Sequence, residues 1–266
     1  MVMLHQAPRT AVRMATRYFS SGVSLNFETV YGGSLTSNCV ITCEHAGNDL
    51  PEGSHWGESD LQAGLPSKHW AYDPGAKEFS SELGFCLKAP AVMSRYSRLF
   101  VDLNRPIASH TLARQMCDNH IVDLNMNLTP SSIADRISRY YLPYHFEVER
   151  VACVVGARVG ISVHTYTCNY EGSLRDFEVG VLYSTKNEGA AHKLVDMLNN
   201  NGVYSKVNAP WSGKDGFMHS IDCFSHNGSI PGQRSSLMFE FRNDVCQDVA
   251  WRSKVISIIS PLLKTM

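Results

Sequence analysis

The sequence has no uninterrupted apolar stretch of the eighteen or so residues that a membrane-spanning helix needs. It also has no lysine- or arginine-rich run, and its formal net charge is −1. These absences speak against a helical membrane anchor and against a nucleic-acid surface, which needs a basic stripe. Charged residues are sparse, 18% against 44% hydrophobic, so the 266 residues can bury a large core. No Cys-x-x-Cys pair occurs among the eight cysteines, which removes the zinc ribbon and the thioredoxin-type redox motif. Several of them, such as Cys39 and Cys43, lie in apolar runs and read as small hydrophobes in a reducing compartment.

Acidic residues are missing altogether from residues 1–26, where Arg9, Arg13 and Arg17 recur at a spacing that lines one side of a helix. Ala11, Met14, Tyr18 and Phe19 supply an apolar side, and Ser20 and Ser21 follow. An arginine-rich, acid-poor, serine-containing start is the composition of an organellar transit peptide. The run Arg17-Tyr18-Phe19-Ser20 is similar to a mitochondrial presequence cleavage site. Residues 1–26 are therefore read as a transit peptide or an extension without an address, and residues 27–266 as the working domain. The expected location is mitochondrial, and cytoplasmic if the segment carries no address.

The remainder alternates short β-branched runs with helical periodicity. Residues 38–43 (NCVITC) and 159–163 (VGISV) read as buried strands, the second ending in His164. Further strands are expected at 91–93, 99–103, 179–183 and 236–241. A helix is expected to start at Asp73-Pro74, with aspartate as cap and proline in the first turn. Others are expected at about 131–151, 190–199 and 249–263, with residues 107–130 rich in loops. This alternation predicts a single α/β domain with a mostly parallel or mixed sheet flanked by helices. Ligands of such sheets bind beyond the carboxyl ends of the strands, where His45, His164 and Glu240 fall.

Two histidines closing apolar strands suggest a metal, because neutral imidazole is the commonest metal ligand. A catalytic zinc takes three protein ligands and leaves a position for water. The third ligand must be His, Asp, Glu or Cys, with Glu44, Asp49, Glu52 and Asp73 the nearest candidates. The alternative for each histidine is a hydrogen-bonded core residue. Glu240 lies between Phe239 and Phe241, where a carboxylate is costly to bury. That cost suits a general base of raised pKa, and the alternative is an ion pair with Arg242. Three arginines surround a short apolar run at residues 94–106 (SRYSRLFVDLNRP). Their planar forks match carboxylates, which hints at an acidic substrate; Arg98 paired with Asp102 for purely structural reasons is the competing view.

Taken in order, these segments resemble the N-formylglutamate amidohydrolase family, in particular its broader uncharacterised branch. The matching pieces are CEHAGNDLPE (43–52), HWAYDPGA (69–76), SRYSRLFVDLNRP (94–106), PYH (143–145), ISVHTYT (161–167), RDFEVGVLY (175–183) and EFRND (240–244). The resemblance implies a phosphorylase/hydrolase-like α/β sheet of the zinc carboxypeptidase and amidase kind. It implies one zinc ion on His45, Asp73 and His164, with Glu240 as the catalytic carboxylate. Arg105 and Arg175 would bind the substrate carboxylate, with Arg98 and Asn104 shaping the same wall. A carboxypeptidase-type His-x-x-Glu is absent, since Asn48 stands three residues after His45.

The activity implied is metal-assisted hydrolysis of the amide of an N-acyl acidic amino acid such as N-formylglutamate. A zinc peptidase acting on another acyl-amino acid or a peptide end is the alternative enzyme, and a non-catalytic binding protein the alternative outside enzymes. The expected partner is a small molecule, with neither nucleic acid nor membrane. For the address, the segment up to about Phe19 fused to a fluorescent reporter should direct it into mitochondria; a diffuse cytosolic signal, with the mature protein keeping Met1, would remove the targeting role.

Overall fold

The apolar runs become the middle of a seven-stranded sheet because residues alternating along each strand can be buried on both of its faces. The computed structural model describes residues 26–33, 37–170, 172–226 and 234–266, so the arginine-spaced segment up to residue 25 lies outside the described residues. The strands are β1 (Phe27–Tyr31), β2 (Cys39–Cys43), β3 (Pro90–Ser94), β4 (Val159–Tyr166), β5 (Val179–Leu182), β6 (Ser205–Val207) and β7 (Ser235–Arg242). Their order across the sheet is β1-β3-β2-β4-β7-β5-β6. β3, β2, β4 and β7 run parallel, whereas β1 is antiparallel to β3 and β5 is antiparallel to β7. The domain is thus a single α/β unit with a mixed sheet.

Helices cover both faces. Ile41, Ile161, Val163, Phe239 and Phe241 face α1 (Ala76–Leu87), α3 (Glu188–Asn200) and α5 (Val249–Leu263) in one buried cluster. Val40, Val92, Leu182 and Met238 face α2 (Leu142–Val155) and α4 (His219–His226) in the other. The odd and even positions of β7 thus serve opposite cores, as the two-residue period of a strand requires. Along β4 the second face carries Gly160, Ser162 and His164. A Cβ on Gly160 would meet the Ile221 and Phe224 side chains at 2.5 and 2.6 Å, so its absence lets α4 close on the sheet. Among the described residues, no helix is long and apolar enough to cross a membrane.

Four expectations need correction. Residues 99–103 are buried but form no strand; Phe100 N–H donates to Ser97 O at 2.9 Å, as in a turn, and Asp102 N–H to Leu112 O further along the loop at 2.7 Å. Their hydrophobicity serves loop packing: Phe100, Val101 and Leu103 join the cluster around Tyr144 and Val148, and Leu99 a smaller one with Leu65 and Val122. β4 does not end at His164 but continues to Tyr166, held by pairing with β7 through Arg242. The helix expected at Asp73 starts at Ala76 instead, because Gly75 takes the left-handed φ of 87° and turns the chain before the first helical residue. The helix expected at 131–151 is two helices, Pro130–Arg136 and α2, joined by a π turn at Ile137–Tyr141. Such turns rotate the residues that follow them, here Tyr141, Tyr144 and His145.

Because Ile161 is fully buried in the central strand, Ile161→Ala should cost about 2–5 kcal/mol in denaturant unfolding. Phe85, 77% exposed on α1, should tolerate alanine within about 0.5 kcal/mol.

Candidate metal centre and active site

β2 delivers Glu44 and His45 at its carboxyl end, while β4 and β7 lie in register with His164 directly beside Glu240. Neighbouring residues in parallel strands project to the same face, so His164 and Glu240 share one side of the sheet. Asp73 comes from the loop before α1 and is drawn in by its own N–H, which donates to His45 O at 2.9 Å. The turn at Gly75 frees its side chain from helix capping and aims it at Thr165, whose N–H donates to Asp73 Oδ2 at 3.2 Å.

Three ligand atoms converge here. His164 Nδ1 lies 3.0 Å from His45 Nδ1 and 2.9 Å from Asp73 Oδ2, and His45 Nδ1 lies 3.4 Å from the same oxygen. His45, Asp73 and His164 form a buried group able to hold a metal ion. The far ring nitrogens are occupied by carboxylates: His45 Nε2 is 2.7 Å from Asp102 Oδ1, and His164 Nε2 is 3.0 Å from Glu44 Oε2. With the proton on Nε2 of each ring, beside these carboxylates, both Nδ1 lone pairs would face one shared position. Zinc bonds of about 2.0–2.2 Å place tetrahedral ligand atoms roughly 3.3–3.6 Å apart. The triangle seen is slightly tighter than that and fits an ion of this size. A carboxylate behind each metal-ligating histidine is the usual outer support.

The carboxyls around the histidines are held low by their neighbours. Burial alone would raise the Asp73 carboxyl, yet His45 and His164 hold it well below the ordinary range. Against the same penalty, Arg98 and His45 hold Asp102 low, and His164 with Ser162 holds Glu44 low. Burial would lower the His164 imidazole, but Asp73 and Glu44 lift it well above the usual value. Asp73 thus faces the place where the two Nδ1 atoms meet, with Asp102 and Glu44 behind the His45 and His164 rings.

Glu240 differs. It is 6% exposed, its Oε2 has no hydrogen-bond partner among the described residues, and burial pushes its carboxyl up to about 8. Arg242 pairs with Asp244 at 2.7 Å rather than with Glu240. Opposite Glu240 on β5 stands Gly180, where a Cβ would meet Ala209 O at 1.7 Å. That glycine lets the 209 carbonyl press against the sheet beside the carboxylate.

The arginines divide. Arg98 points into the centre, with Nη1 3.4 Å from Asp73 Oδ1 and Nη2 3.0 Å from Asp102 Oδ2. Asn104 is buried and its side chain ties down the 217–220 segment: its Nδ2 donates to Phe217 O at 2.9 Å and its Oδ1 accepts from Ser220 N–H at 3.0 Å. Arg105 lies over Phe217 at 5.5 Å, and Arg175 over Tyr170 and Trp211 at 4.8 and 4.9 Å. The segment carrying Arg105 is clamped, since Leu103 O accepts from His145 Nε2 at 3.1 Å and Arg105 O from Tyr141 OH at 2.8 Å.

Sequence reasoning missed Asp102 as the partner of His45, and it missed Arg114, which lies over Trp70 at 5.7 Å and feels both Arg98 and Arg105. The only trace of Asp102 was its place four residues after Arg98. Arg114 sits in a polar loop and leaves no comparable trace.

The family pattern of N-formylglutamate amidohydrolase matches residues 37–246. Among solved structures, the chain is similar to a gene product, Atu2144, from Agrobacterium tumefaciens, with a TM-score of 0.80 and 23% identity, covering 94% of this chain and 99% of that one. It is also similar to an N-formylglutamate amidohydrolase from Ralstonia eutropha JMP134, with a TM-score of 0.67 and 17% identity, covering 91% of this chain and 97% of that one. At these identities the likeness is one of fold. No curated protein matches the sequence.

The raised Glu240 carboxyl has a consequence for stability. Between the ordinary value of 4.5 and about 8, the folded chain keeps a proton that the unfolded chain has released, so stability falls as pH rises through that window. In chelator-treated protein, Glu240→Gln should therefore gain stability relative to wild type from pH 5 to pH 8. A difference that stays constant with pH would mean that Glu240 titrates normally.

Proposed function

The chain belongs to the N-formylglutamate amidohydrolase family, and on that premise we propose that it is a zinc enzyme cleaving N-acyl acidic amino acids, N-formylglutamate among them. Amide hydrolysis of the family's type is its chemistry; the zinc, the substrate and the roles below are our reading. The observation that carries it is the convergence of His45 Nδ1, His164 Nδ1 and Asp73 Oδ2 beside Glu240, whose Oε2 has no hydrogen-bond partner among the described residues.

His45, Asp73 and His164 would hold one ion. A zinc ion bound there supplies Lewis acidity toward the amide carbonyl and toward water. Glu240 accepts the proton of the attacking water and passes it to the leaving nitrogen, releasing the carboxylic acid and the free amino acid. Burial in an apolar strand places Glu240 near the working pH range, as proton transfer in both directions requires. Arg175 and Arg105 bind the substrate carboxylate and orient the amide carbon. Arg175 acts electrostatically on Glu240, and Arg105 on Asp102, so both guanidinium groups border the centre. For residues 1–26 we propose a mitochondrial address on their composition.

The test uses purified protein, elemental analysis and a panel of N-formyl, N-acetyl and dipeptide derivatives of glutamate and aspartate. Chelation should abolish hydrolysis and zinc restore it. Glu240→Gln should keep its zinc and lose turnover by ~10²-fold or more. Arg105→Lys should lower kcat/KM most for substrates bearing the second carboxylate. Full activity without metal would refute the zinc centre, and indifference to every acyl amino acid on the panel would refute the substrate class.

A further inference from the structure

Arg98 closes a ring of contacts around the candidate metal position. Asp102 presents one oxygen to His45 Nε2 at 2.7 Å and the other to Arg98 Nη2 at 3.0 Å. Asp73 likewise faces the two histidines through Oδ2 and Arg98 Nη1 through Oδ1, the latter at 3.4 Å. The circuit therefore runs from His45 to Asp102, Arg98, Asp73 and back to His45. The backbone joins it as well, because Arg98 N–H donates to Ala71 O at 3.2 Å, close before Asp73 in the chain.

We propose that Arg98 is a positioning residue that keeps Asp73 a one-oxygen ligand and thereby holds a coordination position open for the reaction. The inference rests on the metal-centre reading above. A carboxylate can hold a cation through one oxygen or both, and a second bond from Asp73 would take the place that water or substrate needs. The guanidinium occupies Oδ1 and so withholds it from the ion. Its planar fork reaches two carboxylates at once, which a lysine ammonium, a single point of charge, does not reproduce. By gripping Asp102 it also fixes the carboxylate that sets the tautomer and the angle of His45. The role differs from the substrate wall that the family resemblance implies for this arginine.

The test is metal affinity by chelator competition together with the visible spectrum of the cobalt-substituted protein, whose band intensity reports coordination number. Arg98→Lys and Arg98→Met should bind zinc roughly 10–100-fold more weakly than wild type. Their cobalt spectra should weaken toward those of five or six ligands, while Arg105→Lys leaves affinity and spectrum unchanged. Asp102→Asn combined with Arg98→Met should lose little more affinity than the worse single variant, since both open the same ring. Wild-type spectra and affinity in both Arg98 variants would overturn the proposal whatever their activity. Should neither variant fold, X-ray absorption on the zinc-loaded wild type decides: one carboxylate oxygen near the ion supports the bracket, and two overturn it. A wild type that takes up no metal would instead sink the metal-centre reading, and the bracket with it.

Discussion

Two imidazole Nδ1 atoms 3.0 Å apart, one of them 2.9 Å from a carboxylate oxygen, form the buried cluster able to hold a cation on which the rest of the site is built. Around it Glu44, Asp73 and Asp102 are all buried, and an isolated buried carboxylate costs several kcal/mol. The surroundings are organised to offset that cost. Glu44 accepts from Ser162 Oγ at 2.8 Å, and Asp102 accepts from the Asn104 N–H at 2.9 Å as well as facing Arg98. Asp73 accepts from the Thr165 N–H. Each anion thus has a donor supplied by backbone or by a neighbouring strand, which fixes the donor cluster without help from solvent.

The sheet makes this possible through its two-residue period. One face of β4 and β7 is apolar and packs on α1, α3 and α5, which anchors the strands. The other face carries Ser162, His164 and Glu240 at the same end, with glycines at 160 and 180 where neighbours approach closely. Glu240 Oε2 has no hydrogen-bond partner among the described residues, and burial holds its carboxyl high. The same neighbourhood therefore holds three carboxyls kept low by donors and cationic neighbours and one, Glu240, kept high by burial.

The arginines show a similar division of labour. Arg98 is drawn inward by two carboxylates, whereas Arg105 and Arg175 are stacked on aromatic rings. Stacking limits the freedom of a long side chain. The π turn before α2 contributes at a distance, because it presents Tyr141 and His145 to the carbonyls flanking Asn104 and so steadies the backbone that carries Arg105.

By itself the sequence determined the α/β class, the buried strands and the last helices, since β-branched runs and helical periodicity are local properties that survive into the fold. It also singled out His45, His164 and Glu240, because a polar residue in an apolar strand stands out against its neighbours. The start of α1 and the break at 137–141 were not legible, as both turn on backbone choices at Gly75 and in the π turn that several sequences allow. Nor was the irregular path of residues 99–103, where hydrophobicity reports burial but not the hydrogen-bonding pattern. Only the tertiary structure decided which oxygen of Asp73 meets the histidines, that Asp102 backs His45 from 57 positions away, and that Arg98 turns inward while Arg105 stacks on Phe217. Those outcomes depend on contacts between segments far apart in the chain, and no local pattern encodes the distance between them.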